Sequence, residues 1–122
     1  MKSYKDLDIY NLGLELFYIA HLYSLKLPKY EMYELGSQLR RASDSVTTNI
    51  VEGYGRKKYK ADFIKFLTYS WSSCLETVFH IEKINNLYPE IIPDDLELIR
   101  RYNELSAKIF NFIKYVEENW KT

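Results

Sequence analysis

The sequence has little of what usually carries chemistry. Its 122 residues include one cysteine, Cys74, and two histidines, His21 and His80. A lone thiol excludes an intrachain disulfide and a cysteine-built metal site, and it suits a reducing compartment. Dinuclear-metal helix bundles need two Glu-x-x-His units, but Tyr18 and Thr77 stand three before the histidines. Nor does an arginine precede either histidine within a turn or two, as helical ribonucleases of the bundle type would need. Net charge is missing as well. The 17 basic and 17 acidic residues cancel, so no global field steers the chain toward nucleic acid or membrane. No apolar run approaches the roughly 20 residues of a membrane-spanning helix. The opening "MKSYKDLDIYNLGLEL" interrupts its apolar residues with charge, unlike a signal peptide. These absences predict a cytoplasmic protein without membrane contact, metal, cofactor or catalytic residues.

Glycine and proline are scarce too, at 4 and 3, and they fall where helical periodicity breaks. Pro28 closes a first segment, Gly53 and Gly55 a second, and Pro89 with Pro93 divide a third from a fourth. No segment alternates as a strand would. The pattern predicts helices over about 5–26, from 31 or 37 to 54, 59–87 and 94–120, with ends uncertain by roughly 2–4 residues. Asp94 followed by Glu97 has the spacing of a capping box for the fourth. The whole chain, 1–122, reads as one all-α domain, an antiparallel up-and-down four-helix bundle.

What is present in quantity is apolar helix surface. The second helix aligns Leu35, Leu39, Ala42, Val46, Ile50 and Gly53. The third aligns Phe63, Leu67, Ser70, Cys74, Val78 and Ile81, and the fourth Leu98, Tyr102, Leu105, Ile109, Phe112 and Val116. The first has two such stripes: Leu7, Tyr10, Leu14, Phe17 and His21 on one side, Ile9, Leu12, Leu16, Ile19 and Tyr23 on the other. Ile64, Trp71, Leu75, Phe79, Ile99 and Phe110 lie outside the core arcs of the third and fourth helices. Such surplus predicts a homo-oligomer, with Ile9, Leu12, Leu16, Ile19 and Tyr23 as candidate contacts. The alternative is that half-exposed tyrosines and scattered aromatics are ordinary surface. His21, near a core stripe, reads as a hydrogen-bonded packing residue, His80 as solvated, and Cys74 as buried and inert.

Opposite the core stripe, the second helix carries Ser37, Arg41, Asp44, Ser45, Thr48 and Glu52, with Arg40 to one side. Lys and Glu would favour helix more in a purely solvated face. Small side chains permit a close approach instead, making Arg40, Arg41, Asp44, Thr48 and Glu52 candidate subunit contacts. Arg41 and Glu52 are too far apart to pair along one helix. A polar face built of mediocre helix formers is the other reading.

In "YKDLDIYNLGLEL", "LPKYEMYELGSQLRRA" and "NIVEGYGR" the sequence resembles the bacterial four-helix-bundle proteins encoded in intervening sequences of large-subunit ribosomal RNA genes. The most specific residues are Gln38, Arg40 and Arg41, then Asn49, Glu52, Gly53, Tyr54, Gly55 and Arg56. The resemblance implies a homopentamer of antiparallel bundles arranged as a barrel. It also implies kinship with the accessory protein of diversity-generating retroelements, which contacts a reverse transcriptase and nucleic acid through a basic surface. The sequence departs from the family pattern at Asp44 and Thr47, where small apolar residues and proline are common.

Within residues 56–65, Arg56, Lys57, Lys58, Lys60 and Lys65 face only Asp62, flanked by Tyr54 and Tyr59. Repeated around a ring, this becomes a candidate nucleic-acid rim; as a helix-to-helix turn, it need only be soluble. Glu90, Asp94, Asp95 and Glu97 lie in the other connection, so the bundle is expected to be electrically polarised along its axis. Two functions follow. The first is a non-enzymatic homo-oligomeric scaffold or adaptor that docks a protein partner, and the alternative is an RNA- or DNA-binding accessory protein acting through the rim.

Overall fold

A computed structural model describes residues 2–93 and 95–121. It contains four α-helices, α1 (Asp8–Ser24), α2 (Leu35–Gly55), α3 (Lys60–Leu87) and α4 (Asp95–Asn119), and no strand among the described residues. A short 3-10 turn, Tyr4–Asp6, precedes α1, and another, Lys29–Glu31, follows Pro28. The expected capping box of the fourth helix falls on Asp94, outside the described residues. Glu97 there engages Arg100 instead, at 2.6 and 3.1 Å.

Local chemistry explains why the ends differ from the periodicity. Ser3 accepts from the Lys5 N–H, and the Asp6 carboxylate accepts from the Lys2 and Ser3 N–H groups. This closes a separate turn and delays α1 to Asp8. These backbone donors, Lys2 first, hold the Asp6 carboxyl below its usual value. At the other end, the Arg40 guanidinium donates to Ser24 Oγ at 2.9 Å and to the Met32 carbonyl at 2.8 Å. One side chain from α2 thus ties the last turn of α1 to the connection after it. Arg40, expected at a subunit interface, is half-buried and clamps these two segments within the chain.

The helices pack in sequence, α1 on α2, α2 on α3 and α3 on α4, with α1 touching α4 more lightly. Leu16, Leu39, Val46, Ile50, Phe63, Leu67, Leu105 and Ile109 are fully buried between them. Each stabilises the fold by about 1.5–3 kcal/mol over an exposed side chain. The core stripes of α2, α3 and α4 match expectation, except that Leu35, Val78 and Phe112 are only half-buried. On α1 the ambiguity resolves: Ile9 and Leu16 retain 4% and 0% of their surface. They belong to this chain's own core and are unavailable to another subunit. Leu12, Ile19 and Tyr23 pack half-buried against that core.

Hydroxyl groups line the contact of α2 with α3. Ser70 donates to the Val46 carbonyl at 2.6 Å, and Ser73 to Ser45 Oγ at 2.9 Å. Ser43 and Thr77 donate back to the carbonyls four residues earlier. Short hydroxyls that satisfy themselves locally let the two backbones approach closely without stranding a polar group. Gly53 serves the same contact, since a Cβ there would lie 3.2 Å from Phe66 Cβ. It sits within α2 rather than ending it, and no glycine among the described residues has positive φ.

Candidate interaction surfaces

The basic segment lies in the tight connection from α2 to α3, where the structure spends most of its cations on internal partners. Arg56 lies 4.0 Å from Glu52 and 3.9 Å from Asp62, with its guanidinium 4.6 Å from the Phe66 ring centroid. Lys57 donates to the Tyr54 hydroxyl at 2.8 Å. Lys60 donates to the Glu117 carbonyl at 2.6 Å, satisfying one of the free acceptors at the end of α4. The Trp120 indole N–H donates to the Lys57 carbonyl at 2.7 Å and packs edge-on against Phe63. Tyr54 is half-buried against Tyr4, while Tyr59 is exposed beside Lys58. Lys58 and Lys65 are exposed. Arg56 and Lys60 thus fasten α2, α3 and α4, with Lys57 and Tyr54 bonded to each other, whereas Lys58, Tyr59 and Lys65 lie open to solvent.

Arg41, Asp44, Thr48 and Glu52 are exposed along α2 as expected. Glu52 answers Arg56 within the chain. Arg41 and Asp44 border a shallow depression shared with Phe17, His21 and Arg40. Ser45 faces α3, contrary to its expected outward placement.

Apolar surface remains on two sides. On α1, Tyr18, Leu22 and Leu25 are 58%, 62% and 48% exposed. This outward strip lies between two half-buried flanks, Leu12, Ile19 and Tyr23 on one side and Leu14, Phe17 and His21 on the other, while Ile9, Gly13, Leu16 and Ala20 face inward. On the other side, Leu75, Phe79, Leu96 and Phe110 are exposed along the seam of α3 and α4. Trp71 meets Phe110 at one end of this strip, and Phe79 shares a depression with Leu96 and Ile99 at the other.

The three residues with reactive side chains are placed for packing. Cys74 is buried, and burial pushes its thiol up to about 12. His21 packs half-buried against Phe17 as expected, but its Nδ1 lacks the hydrogen bond expected of it. His80 retains 6% of its surface, which overturns the expectation of a solvated residue. Its Nε2 lies 3.4 Å from Glu76, and burial lowers its pKa. The signal was present: Ser73, Thr77, His80 and Ile84 form a second stripe on α3, all buried, but hydroxyls and imidazole count as polar in any hydropathy pattern. Among the described residues no cluster of three His, Cys, Asp or Glu could hold a metal ion. Likewise no described helix is long and apolar enough to cross a membrane.

Residues 5–111 match the family model described as 23S rRNA-intervening sequence protein. No curated protein matches the chain.

Proposed function

The chain belongs to the 23S rRNA-intervening sequence protein family, and from that premise we propose that it is a non-enzymatic, cytoplasmic, homo-oligomeric scaffold that docks a protein partner. The observation that carries the proposal is the apolar surface left outside a finished core: Leu22, Phe79 and Leu96 are 62%, 55% and 75% exposed. Strips of this kind, running along helices whose opposite faces are already buried, are characteristic of association surfaces. The protomer is an antiparallel up-and-down bundle. Contacts of descending register support this: Gln38 meets Lys83 while Ser45 meets Ser73, and Lys60 meets Glu117 while Trp71 meets Phe110. Five copies is the number that the family resemblance implies. The buried, high-pKa thiol fits a role without catalysis.

Light scattering coupled to size exclusion tests the assembly: a mass of several chains is expected at micromolar concentration, and a single-chain mass throughout would refute it. The nucleic-acid reading rests on Lys58, Tyr59 and Lys65, which stay exposed, and is weakened by the internal duties of Arg56, Lys57 and Lys60. Steep loss of RNA affinity with rising salt would favour it.

A further inference from the structure

The ionic pairing of α1 and α2 is lopsided. Of their acids Asp8, Glu15, Asp44 and Glu52, all but Asp44 have cation partners: Asp8 faces Lys108, Glu15 faces Arg101 and Glu52 faces Arg56. The two arginines of α2, Arg40 and Arg41, have no carboxylate partner among the described residues. Arg40 is half-buried and donates only to neutral oxygens, Ser24 Oγ and the Met32 carbonyl. These bonds use two of the five N–H donors of a guanidinium. Arg41 is exposed. A guanidinium partly withdrawn from water keeps its full charge, and lost hydration without a counter-ion is a cost left standing. Both arginines line the shallow depression where α1 meets α2, together with Phe17, His21 and Asp44. His21 packs on the Phe17 ring and brings a buried Nδ1 with no hydrogen-bond partner.

Resting on the docking role above, we propose that this depression receives a carboxylate side chain from an acidic segment of the partner protein, held by Arg40 and Arg41 and lying across Phe17. A guanidinium fork meets a carboxylate with two parallel hydrogen bonds, and such charge-assisted pairs are the strong ones. The Phe17 ring gives the methylenes of the same side chain an apolar wall. An open depression suits a side chain of another polypeptide, since free small molecules are held in enclosing clefts. Asp44 decides against a polyanion. Exposed in the same depression, with no cation partner among the described residues, it repels a run of phosphates, whereas one carboxylate can take the arginine side alone. Glu34, an exposed acid at the start of α2, stands about 10 Å from Arg41 along the helix and leaves that side open.

TROSY NMR spectra of the full chain at low salt test this with a capped hexapeptide of alternating glutamate and leucine, its glutamine counterpart, and a short oligouridylate. The glutamate peptide is expected to shift the signals of Phe17, His21, Arg41 and Asp44 and the Arg40 side-chain N–H, and the glutamine peptide to leave them in place. Arg41 is the residue to change, because Arg40 also clamps the chain. Arg41→Glu is expected to weaken the peptide about tenfold or more, and Asp44→Asn to tighten it about twofold to fivefold, with circular dichroism unchanged in both. Arg41→Gln repeats the experiment should Arg41→Glu lose its helical signal. Equal shifts from the glutamine peptide, no shift at these residues up to millimolar glutamate peptide, wild-type affinity in Arg41→Glu, or tighter binding of the oligouridylate at the same residues each overturns the proposal. Glutamate-peptide shifts confined to another face overturn it too and leave the docking role standing. A single-chain mass in light scattering refutes the assembly instead, so the two failures are distinct.

Discussion

His80 illustrates how a residue can be misplaced by its chemistry and still be legible in its spacing. Taken alone, an imidazole beside Phe79 and Glu82 looks like helix surface. Taken with Ser73, Thr77 and Ile84, it lies on the arc of α3 that faces α2, and it is buried there. Burial is the main cause of its lowered pKa, with Lys83 adding to it and Glu76 opposing it. The consequence for stability has a definite sign. The unfolded chain carries an imidazole of ordinary pKa near 6.5, so it binds the proton more readily than the folded chain does. Stability is therefore greatest above that value, falls as the pH drops through it, and stops falling below the folded-state pKa. Urea titrations at pH 7.5 and 5.5 are expected to show a lower unfolding free energy at the acid value, and His80→Gln to flatten the difference. The two carboxyls held below their usual values, Asp6 and Glu97, titrate lower still and leave this window clear. An unchanged slope in His80→Gln would assign the effect elsewhere.

Among the elements, what composition and periodicity could supply was the number of helices and the core faces of α2, α3 and α4. Those follow from apolar spacing, and burial enforces it. The boundaries did not follow, because they are set by single side chains acting at a distance. Ser3 and Asp6 trim the start of α1, and Arg40 fixes its end from sixteen residues away. The choice between the two stripes of α1 was equally hidden, since both are apolar. Gly13 decides it. A Cβ at Gly13 would lie 2.8 Å from Thr47 Cγ2, so this flank of α1 sits against α2 and carries Ile9 and Leu16 inward with it. Gly13→Ala is expected to destabilise by about 1–2 kcal/mol, the overpacking outweighing a helix-propensity gain of about 1 kcal/mol. In a Thr47→Ala background the methyl is gone, and the same substitution is expected to be neutral or stabilising. Thermal melts of the four combinations measure the coupling between the sites, and additive effects would place the close contact elsewhere. Thr47 is thus fitted to a glycine on the neighbouring helix.

For the molecule as a whole, the candidate site was half legible. The cations of residues 56–65 were visible, but their partners were not, because Glu117 and Trp120 lie about sixty residues away in sequence. The excess of apolar surface was visible too, though two of the α1 residues chosen as contacts, Ile9 and Leu16, lie in the chain's own core. The way α1 is packed makes a prediction about dynamics. Within one chain α1 and α4 are the least enclosed helices: α1 packs firmly on α2 and α4 on α3, and the two meet along a lighter seam with the ion pairs Arg101–Glu15 and Lys108–Asp8. Surface pairs of this kind contribute little, about 0–1 kcal/mol each. Helix α3, by contrast, is buried against both α2 and α4. Local opening should therefore be easier at α1 and α4 than at α2 and α3 in the monomer. If a neighbour covers Tyr18, Leu22 and Leu25, opening α1 must also break the contact between copies, and its free energy rises with concentration. Hydrogen exchange followed by mass spectrometry is expected to show α1 amides slowing as the protein is concentrated through its association range, relative to those of α2 and α3. In Leu22→Glu, which puts a charge on that exposed strip and leaves the core untouched, α1 should exchange at the fast rate whatever the concentration. Equal protection of α1 in dilute and concentrated wild type would mean that its outer flank is covered by nothing.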